Sequence, residues 1–441
     1  MSMTRRDILK AGAAFGAFNI VPAKVLCAAT APSNQLTRAL IGFGVIAKDS
    51  RHLASRGSRL VGLCDAYDVR ADNGLAVAAK NGWGKIKKYK NFIELINDPG
   101  VDIVHICTPP HWHGVQSVMA AKAGKDIWCE KPMTRTVGEG KRVMEVINAR
   151  KRVFRISTWF RYEGIFYGFG TESKPIKKII ASGLLGKGPI KCVCGSGQGF
   201  GWKFFWSGLV NPQPKPVPKG FDWEMWLGPA PWKPYSDHRA GTSFRGYWDY
   251  DSGGLGDMAQ HYLDPIQYLL GKDEEFPVRV DYDGAKQHPE AVGRFDRITL
   301  TYADGTSIVL DGDETLKEEP LFRGSNGVCI YRKENGGKTL RIKDSNGWWS
   351  EEKVLKTLAE LPDPPAQNVD FFDCVRNRKK HAVNETSGFH SCTIFNLGIA
   401  AERLGRGFDF NPETLRAVDD PAADRFLYQS MREPWKKEMY S

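Results

Sequence analysis

Two short apolar runs with a glycine loop between them constrain this chain more than any other feature. Residues 37–42 (Thr-Arg-Ala-Leu-Ile-Gly) predict a short buried strand, and Gly42-Phe43-Gly44-Val45-Ile46-Ala47 follows at once, opening a predicted helix to about Arg56. Residues 60–64 form a second apolar run, with Asp65 at its end, 23 positions after Gly42. In such a G-x-G-x-x-A loop the first glycine permits a tight turn. The second lets bare backbone approach a pyrophosphate at the helix N-terminus, and the small Ala47 lets helix and strand pack closely. Asp65 can accept hydrogen bonds from a ribose diol, and its charge opposes a 2′-phosphate. The unit predicts a bound dinucleotide, NAD rather than NADP, contacted by Gly42, Phe43, Gly44, Val45, Ile46 and Asp65.

The alternation continues, with strands predicted over 101–107, 126–129 and 153–157 and helices over 115–123 and 137–149. Strands separated by helices argue for a doubly wound parallel sheet, in which ligands sit beyond the carboxyl ends of the strands. Three of those ends carry reactive or aromatic groups: Thr108-Pro109-Pro110-His111-Trp112-His113, Glu130-Lys131-Pro132 and Trp159-Phe160-Arg161. Farther on, strand-like runs over 298–302, 307–310 and 328–331 are broken by turns such as Asp304-Gly305, as in an antiparallel sheet. Helices are predicted over 371–376 and 392–404, ahead of a Pro/Asp-rich tail that folds back over the body.

The 441 residues allow two or three domains. The net charge of +11 includes +3 from residues 1–31, and the remaining basic clusters are short and lack a reader motif, so nucleic acid is not an expected partner. No segment after the N-terminus has 18 uncharged apolar residues, so no spanning helix is expected there. Nine cysteines, an odd number at irregular spacings, argue against a disulfide framework. The start of the chain reads as an address. Arg5-Arg6 precedes a mildly apolar run from Ala11 to Val21 and then the small residues Ala28 to Ala31, similar to a twin-arginine export signal over 1–31. The expected location is periplasmic or otherwise exported, without a membrane anchor. Cys27 makes a weaker lipoprotein site, because Lys24 and Leu26 stand where small or apolar residues belong.

Glu130-Lys131-Pro132, the preceding Thr-Pro-x-His-x-His and the glycine loop together resemble the glucose–fructose oxidoreductase / inositol dehydrogenase / MocA family. The resemblance extends through Gly253-Gly254-Leu255-Gly256-Asp257-Met258-Ala259-Gln260-His261-Tyr262-Leu263-Asp264, similar to the family's G-G-x-x-x-D-x-x-x-H-x-x-D, and spans 36–441. It implies an α/β Rossmann domain over 36–158 and an α+β substrate domain with an open-faced, mostly antiparallel sheet over 159–365. C-terminal helices and the tail then occupy 366–441. Carried over by motif, Lys131 hydrogen-bonds the reacting hydroxyl beside the nicotinamide, with Asp257 and His261 as its catalytic partners. Thr108, Pro109, His111 and Glu130 join Lys131 at the cofactor, and Pro110 stands where many members have asparagine. The physics agrees, because positions i and i+4 share one helix face, and an alcohol that loses hydride must also lose a proton to a base titrating near neutrality. His261 fits that role.

Six of the thirteen tryptophans fall within residues 198–250, where flat aromatic faces can pack on sugar rings or serve as core. Trp248 and Tyr250, just before the glycine run, and Arg161 and Tyr162, at the domain junction, join His261 as candidate substrate contacts. His111 and His113, or Cys192 and Cys194, lack the paired spacing of a structural zinc site, and no metal is expected. The resulting expectation is an exported NAD-dependent sugar oxidoreductase, a homo-oligomer, oxidising a ring hydroxyl of a glucose-like sugar or glycoside at C3 with a tightly held, recycled cofactor. The rival is an NAD-dependent glycoside hydrolase that oxidises C3 transiently and eliminates the aglycone; a sensor that kept the fold is disfavoured by the intact Lys131, Asp257 and His261.

Overall fold

The computed structural model describes residues 35–48, 57–158, 161–162, 172–195, 207–333 and 339–441. The export signal, the continuation of the first helix to Arg56, and Trp159, Phe160, Trp202 and Trp206 lie outside them.

Strands β1 (Leu36–Ile41), β2 (Ser58–Cys64), β3 (Lys87–Lys88), β4 (Ile103–Ile106), β5 (Asp126–Cys129) and β6 (Phe154–Ile156) form one sheet in the order β3-β2-β1-β4-β5-β6. Every neighbouring pair is parallel. Helices Asp68–Lys80, Phe92–Asn97, His113–Lys122 and Val137–Ala149 make the crossovers. β4 and β5 are buried throughout, as parallel strands covered on both faces should be. The chain runs out from β1 to β2 and returns to β4 on the opposite side, so a crevice opens between the β1 and β4 ends. After the glycine loop a single 3-10 turn, Ile46–Lys48, is described.

The second sheet has ten strands: β7 (Lys191–Gly195), β8 (Arg279–Asp283), β9 (Arg297–Thr301), β10 (Ser307–Asp311), β11 (Phe322–Arg323), β12 (Cys329–Tyr331), β13 (Arg341–Asp344), β14 (Gly347–Trp348), β15 (Phe408–Asn411) and β16 (Arg416–Ala417). Their order is β14-β13-β12-β11-β7-β10-β9-β8-β15-β16, and only β7 and β10 pair in parallel. β9 alternates half-buried and buried residues, the mark of a sheet with one face on the core. Two long helices, Gly253–Leu270 and Glu385–Leu404, pack on each other, and the second also packs on Val137–Ala149 and on β8 and β9, so it joins the two sheets.

The last quarter of the chain serves both parts. Phe371 and Phe372 pack edge-on against Trp128 of β5, Trp435–Tyr440 lies on His113–Lys122, and β15 extends the ten-stranded sheet. The helix expected from residue 392 begins at Glu385: Asn384 accepts from the amides of Thr386 and Ser387, and the Ser387 hydroxyl accepts from the Asn384 amide. That reciprocal cap uses serine in place of the usual Glu or Gln, and Gly388 follows at once, so the start carries little sequence signal. The eight described cysteines are buried free thiols.

Candidate functional site

A cavity of about 340 Å³ lies at the β1–β4 crevice. One wall is the glycine loop, where Gly42 has φ 89° and its missing Cβ leaves room for the carbonyl of Cys107, 2.8 Å from where a Cβ would stand. A Cβ on Gly44 would meet nothing within 4 Å, so bare backbone faces open space there. Asp65 ties this loop to the end of β2, its carboxylate accepting from the amides of Phe43 at 2.7 Å and Tyr67 at 2.9 Å. Burial pushes its pKa up, against the pull of those two amides and of Arg70. Each oxygen keeps a lone pair for a ribose hydroxyl. Phe43, Val45, Ile46, Thr108, Pro109 and Glu130 also line the cavity, so the chemistry and shape of the crevice fit a dinucleotide.

Lys131, at the exit of β5, reaches across to the helix Gly253–Leu270. Its ammonium donates to the Asp257 carbonyl at 2.8 Å and to Asp257 Oδ1 at 3.2 Å. Arg245 Nε donates to the same oxygen at 3.0 Å. Burial alone would raise the Asp257 pKa, but these two cations draw it down to about 2. All three side chains line the cavity. His261, one helical turn on, is buried; burial first and the Lys131 ammonium second hold it well below 6.5, with Asp257 pulling the other way. It is a neutral imidazole at pH 7 and does not titrate near neutrality as expected.

The opposite wall comes from the second domain. Residues 220–245 form a strap over the crevice, bringing Met225, Trp226, Gly241, Thr242 and Phe244 to the cavity. At one end the Asp222 amide donates to the Ala66 carbonyl at 2.8 Å, the Asp68 amide donates to Gly220 at 2.9 Å, and the rings of Tyr67 and Phe221 stack at 4.9 Å. Farther along, the Trp226 carbonyl accepts from Trp112 Nε1 at 3.0 Å and His111 Nε2 at 2.8 Å. Gly228 presses on the Trp112 ring where no Cβ would fit.

His111 therefore belongs behind the wall, pinning the strap, and its side chain does not line the cavity. His113 bridges two strand exits, with Nδ1 2.6 Å from the Pro132 carbonyl and Nε2 2.8 Å from that of Thr108. Burial lowers His111 to about 3 and His113 to about 4; elsewhere it lowers His381 to about 4. His111 and His381 are neutral in the fold and protonate in the unfolded chain near 6.5, whereas both ring nitrogens of His113 face carbonyl oxygens, an arrangement that favours its proton and opposes the pull of burial. Stability is complete above 6.5 and falls as the pH drops from 6.5 toward 4, by about 1.4 kcal/mol per pH unit for each of His111 and His381. Thermal melts across that window should show the decline; a flat melting temperature would contradict these burials.

Of the four other proposed substrate contacts, Arg161, Trp248 and Tyr250 are enclosed and partnered within the protein, while Tyr162 is half-buried. The Arg161 guanidinium is buried, with Nε 3.0 Å and Nη2 2.7 Å from the Asp264 carboxylate and Nη1 2.5 Å from Asp273, because a cation enclosed at the domain junction needs these anions. Tyr162 packs edge-on against Tyr268 at 4.9 Å. Trp248 is buried and donates to the His288 carbonyl at 2.8 Å. Tyr250 is fully enclosed and packs on Trp226 at 4.9 Å. Arg245 was missed: it sits in Ser243-Phe244-Arg245-Gly246, which matches no motif.

One group of potential metal ligands occurs among the described residues, His105, Cys107 and Glu130, with ligand atoms within 4.8 Å of one another. Arg38 Nη1 stands 2.8 Å from His105 Nδ1, and Ser157 donates to Glu130 at 2.8 Å. A guanidinium so close opposes a second cation, and the group reads as a buried hydrogen-bond network under the Glu130-Lys131 turn.

Known proteins bear on this site. D-xylose 1-dehydrogenase (NADP(+)) of Hypocrea jecorina is 34% identical over 100 residues, 23% of this chain and 24% of its own length. Levoglucosan dehydrogenase of Pseudarthrobacter phenanthrenivorans is 28% identical over 205 residues, 46% of this chain and 42% of its own. The chain thus spans less than half the length of either curated relative. The crystal structure of an NAD-binding protein from Listeria innocua superposes with a TM-score of 0.55 at 17% identity, covering 85% of this chain and 97% of that one, and so shares the fold. The model described as an oxidoreductase family, NAD-binding Rossmann fold, matches residues 36–158, and that of the same family's C-terminal alpha/beta domain matches 169–437. Matched over both its sheets and through the crevice between them, the chain belongs to the Gfo/Idh/MocA oxidoreductase family.

Proposed function

We propose that this chain is an NAD-dependent oxidoreductase that oxidises a ring hydroxyl of a glucose-like sugar or glycoside, at C3, to the keto form. The observation that carries this reading is the Lys131 ammonium, held at the cavity wall by Asp257 and next to the glycine-loop crevice. Bound there, the nicotinamide ring supplies the hydride acceptor. Lys131 donates to the substrate hydroxyl and polarises it, while Asp257 and Arg245 keep its ammonium aimed. The hydroxyl proton is assigned to the neutral His261, one turn on from Asp257 on the same helix face and just behind the cavity lining, where burial makes it a weaker base than the free side chain. The names of the xylose and levoglucosan dehydrogenases support a sugar as substrate. Asp65 supports NAD over NADP, since a carboxylate bonded at this position repels a 2′-phosphate. Incubation with methyl glucosides, followed by product analysis, tests the reaction: keto-sugar is the expected product, and release of free reducing sugar without keto-sugar would establish glycoside hydrolysis instead.

We further propose that the nucleotide is held through many turnovers and recycled by a second sugar, in a protein exported by the twin-arginine route; the strap across the crevice supports the retention, and Arg5-Arg6 with the apolar run after it supports the route. Phe221→Ala removes the stack on Tyr67 and should speed nucleotide loss about tenfold, the worth of one aromatic pair. Nucleotide remaining after timed gel filtration measures it. Equal retention in the variant and the parent would show that the strap does not hold the ligand.

A further inference from the structure

The turn before the helix Gly253–Leu270 brings a second carboxyl behind the one that holds Lys131. Ser252 and Gly253 both take left-handed backbone, at φ 73° and 71°, so the chain doubles back as the helix starts. Gly256 lies against the Asp251 carbonyl, closer than any side chain would allow, and this approach seats Asp251 at the first turn. Its carboxyl is fully enclosed. Arg245 Nε faces both acids, 3.0 Å from Asp257 Oδ1 and 3.7 Å from Asp251 Oδ2. Among the described residues neither oxygen of Asp251 accepts a hydrogen bond from a donor, a costly state for a buried carboxylate.

We propose that Asp251 is a positioning residue of this site: a second carboxyl that bonds the back of Asp257 and, with Arg245, fixes the aim of Lys131. The proposal rests on the oxidoreductase reading of the same site. The charged groups facing Asp251 are Asp257, Arg245 and Lys131. Two carboxyls sharing one enclosed site do not both ionise. Asp257, bonded by both cations, keeps the charge. Burial first and the Asp257 charge second push Asp251 well above the carboxylate range, against the pull of Arg245 and Lys131. A neutral Asp251 supplies its own O–H donor, and Asp257 is the acceptor beside it. Paired acids driven apart in this way are a recurring means of fixing which of two groups carries charge.

The test uses the full chain as purified, with its nucleotide content measured after acid release. Infrared difference spectra at neutral pH should show a carboxylic-acid C=O band that Asp251→Asn removes. Asp251→Leu, which lacks the donor, should lower kcat about tenfold, and Asp251→Asn, which restores one, should recover most of that loss. In the parent protein kcat should also fall at high pH as Asp251 ionises, and this fall should shift upward in Asp251→Asn. A merely structural residue would change the melting temperature and leave the pH profile in place. An unchanged infrared spectrum in Asp251→Asn, or an unmoved alkaline fall, overturns the proposal. Parent protein that forms no keto-sugar even with NAD supplied would instead sink the oxidoreductase reading, and the infrared band then decides the Asp251 assignment alone.

Discussion

Lys131→Ala lowers kcat/KM for the sugar by about 10²–10³, the span for losing a positioned donor to the reacting oxygen, while the protein keeps its fold. The ammonium is only partly buried and its two bonds go to one residue, Asp257, so deleting it leaves no large cavity. It does leave Asp257 with Arg245 as its remaining cation, and the Asp257 pKa should rise from about 2 as a result. Steady-state kinetics, set beside a thermal melt, separate the two consequences. A variant that turns over sugar at the parent rate would remove Lys131 from the chemistry.

Arg161→Ala acts two turns farther along the helix, at Asp264, and through stability. The guanidinium makes a two-pronged pair with Asp264 and a third contact with Asp273, and Thr158 donates to Asp264 at 3.0 Å. Burial opposes the Arg161 charge, yet Asp264 and Asp273 raise its pKa above the ordinary range. Removing it strands the Asp264 carboxylate in a fully buried position, which costs about 3–5 kcal/mol. Denaturant unfolding should report a loss of that size, with the KM of the remaining folded enzyme nearly unchanged. If Arg161 instead bound substrate, KM would rise and stability would hold.

The contrast between these two cations shows what was legible in the chain. Lys131 follows an apolar strand and precedes proline, in a place where the alternation of strands and helices already puts a ligand, so its neighbourhood is written in local sequence. The glycine loop and Asp65 are legible for the same reason, because the turn, the close approach and the acceptor are all needed within one β-α-β unit. Arg161 stands at a strand exit as well. Its partners lie more than 100 positions away, and no local pattern says whether a junction cation meets a sugar or an aspartate.

The same limit governs the aromatic stretch. Composition places tryptophans between 198 and 250, and the fold decides that Trp226 lines the cavity while Trp248 is core. Asp251 and Arg245 carry no motif, and their roles appear only when the strap and the start of the long helix meet. The parallel strands β1, β2, β4, β5 and β6 are legible as short apolar runs, whereas β3, the exposed pair Lys87–Lys88, is not. The small strands β11, β14 and β16, of two residues each, exist through pairing with distant partners and leave no period to read.

A sugar-oxidising site built around a held nicotinamide reports on itself optically. The measurement is the reduced-nicotinamide fluorescence of the purified protein, recorded before and after a glucoside is added without any added cofactor. A persistent rise, absent in Lys131→Ala, is the predicted result. No rise from protein shown to contain the nucleotide, across glucosides and free sugars, would exclude net sugar oxidation at this site.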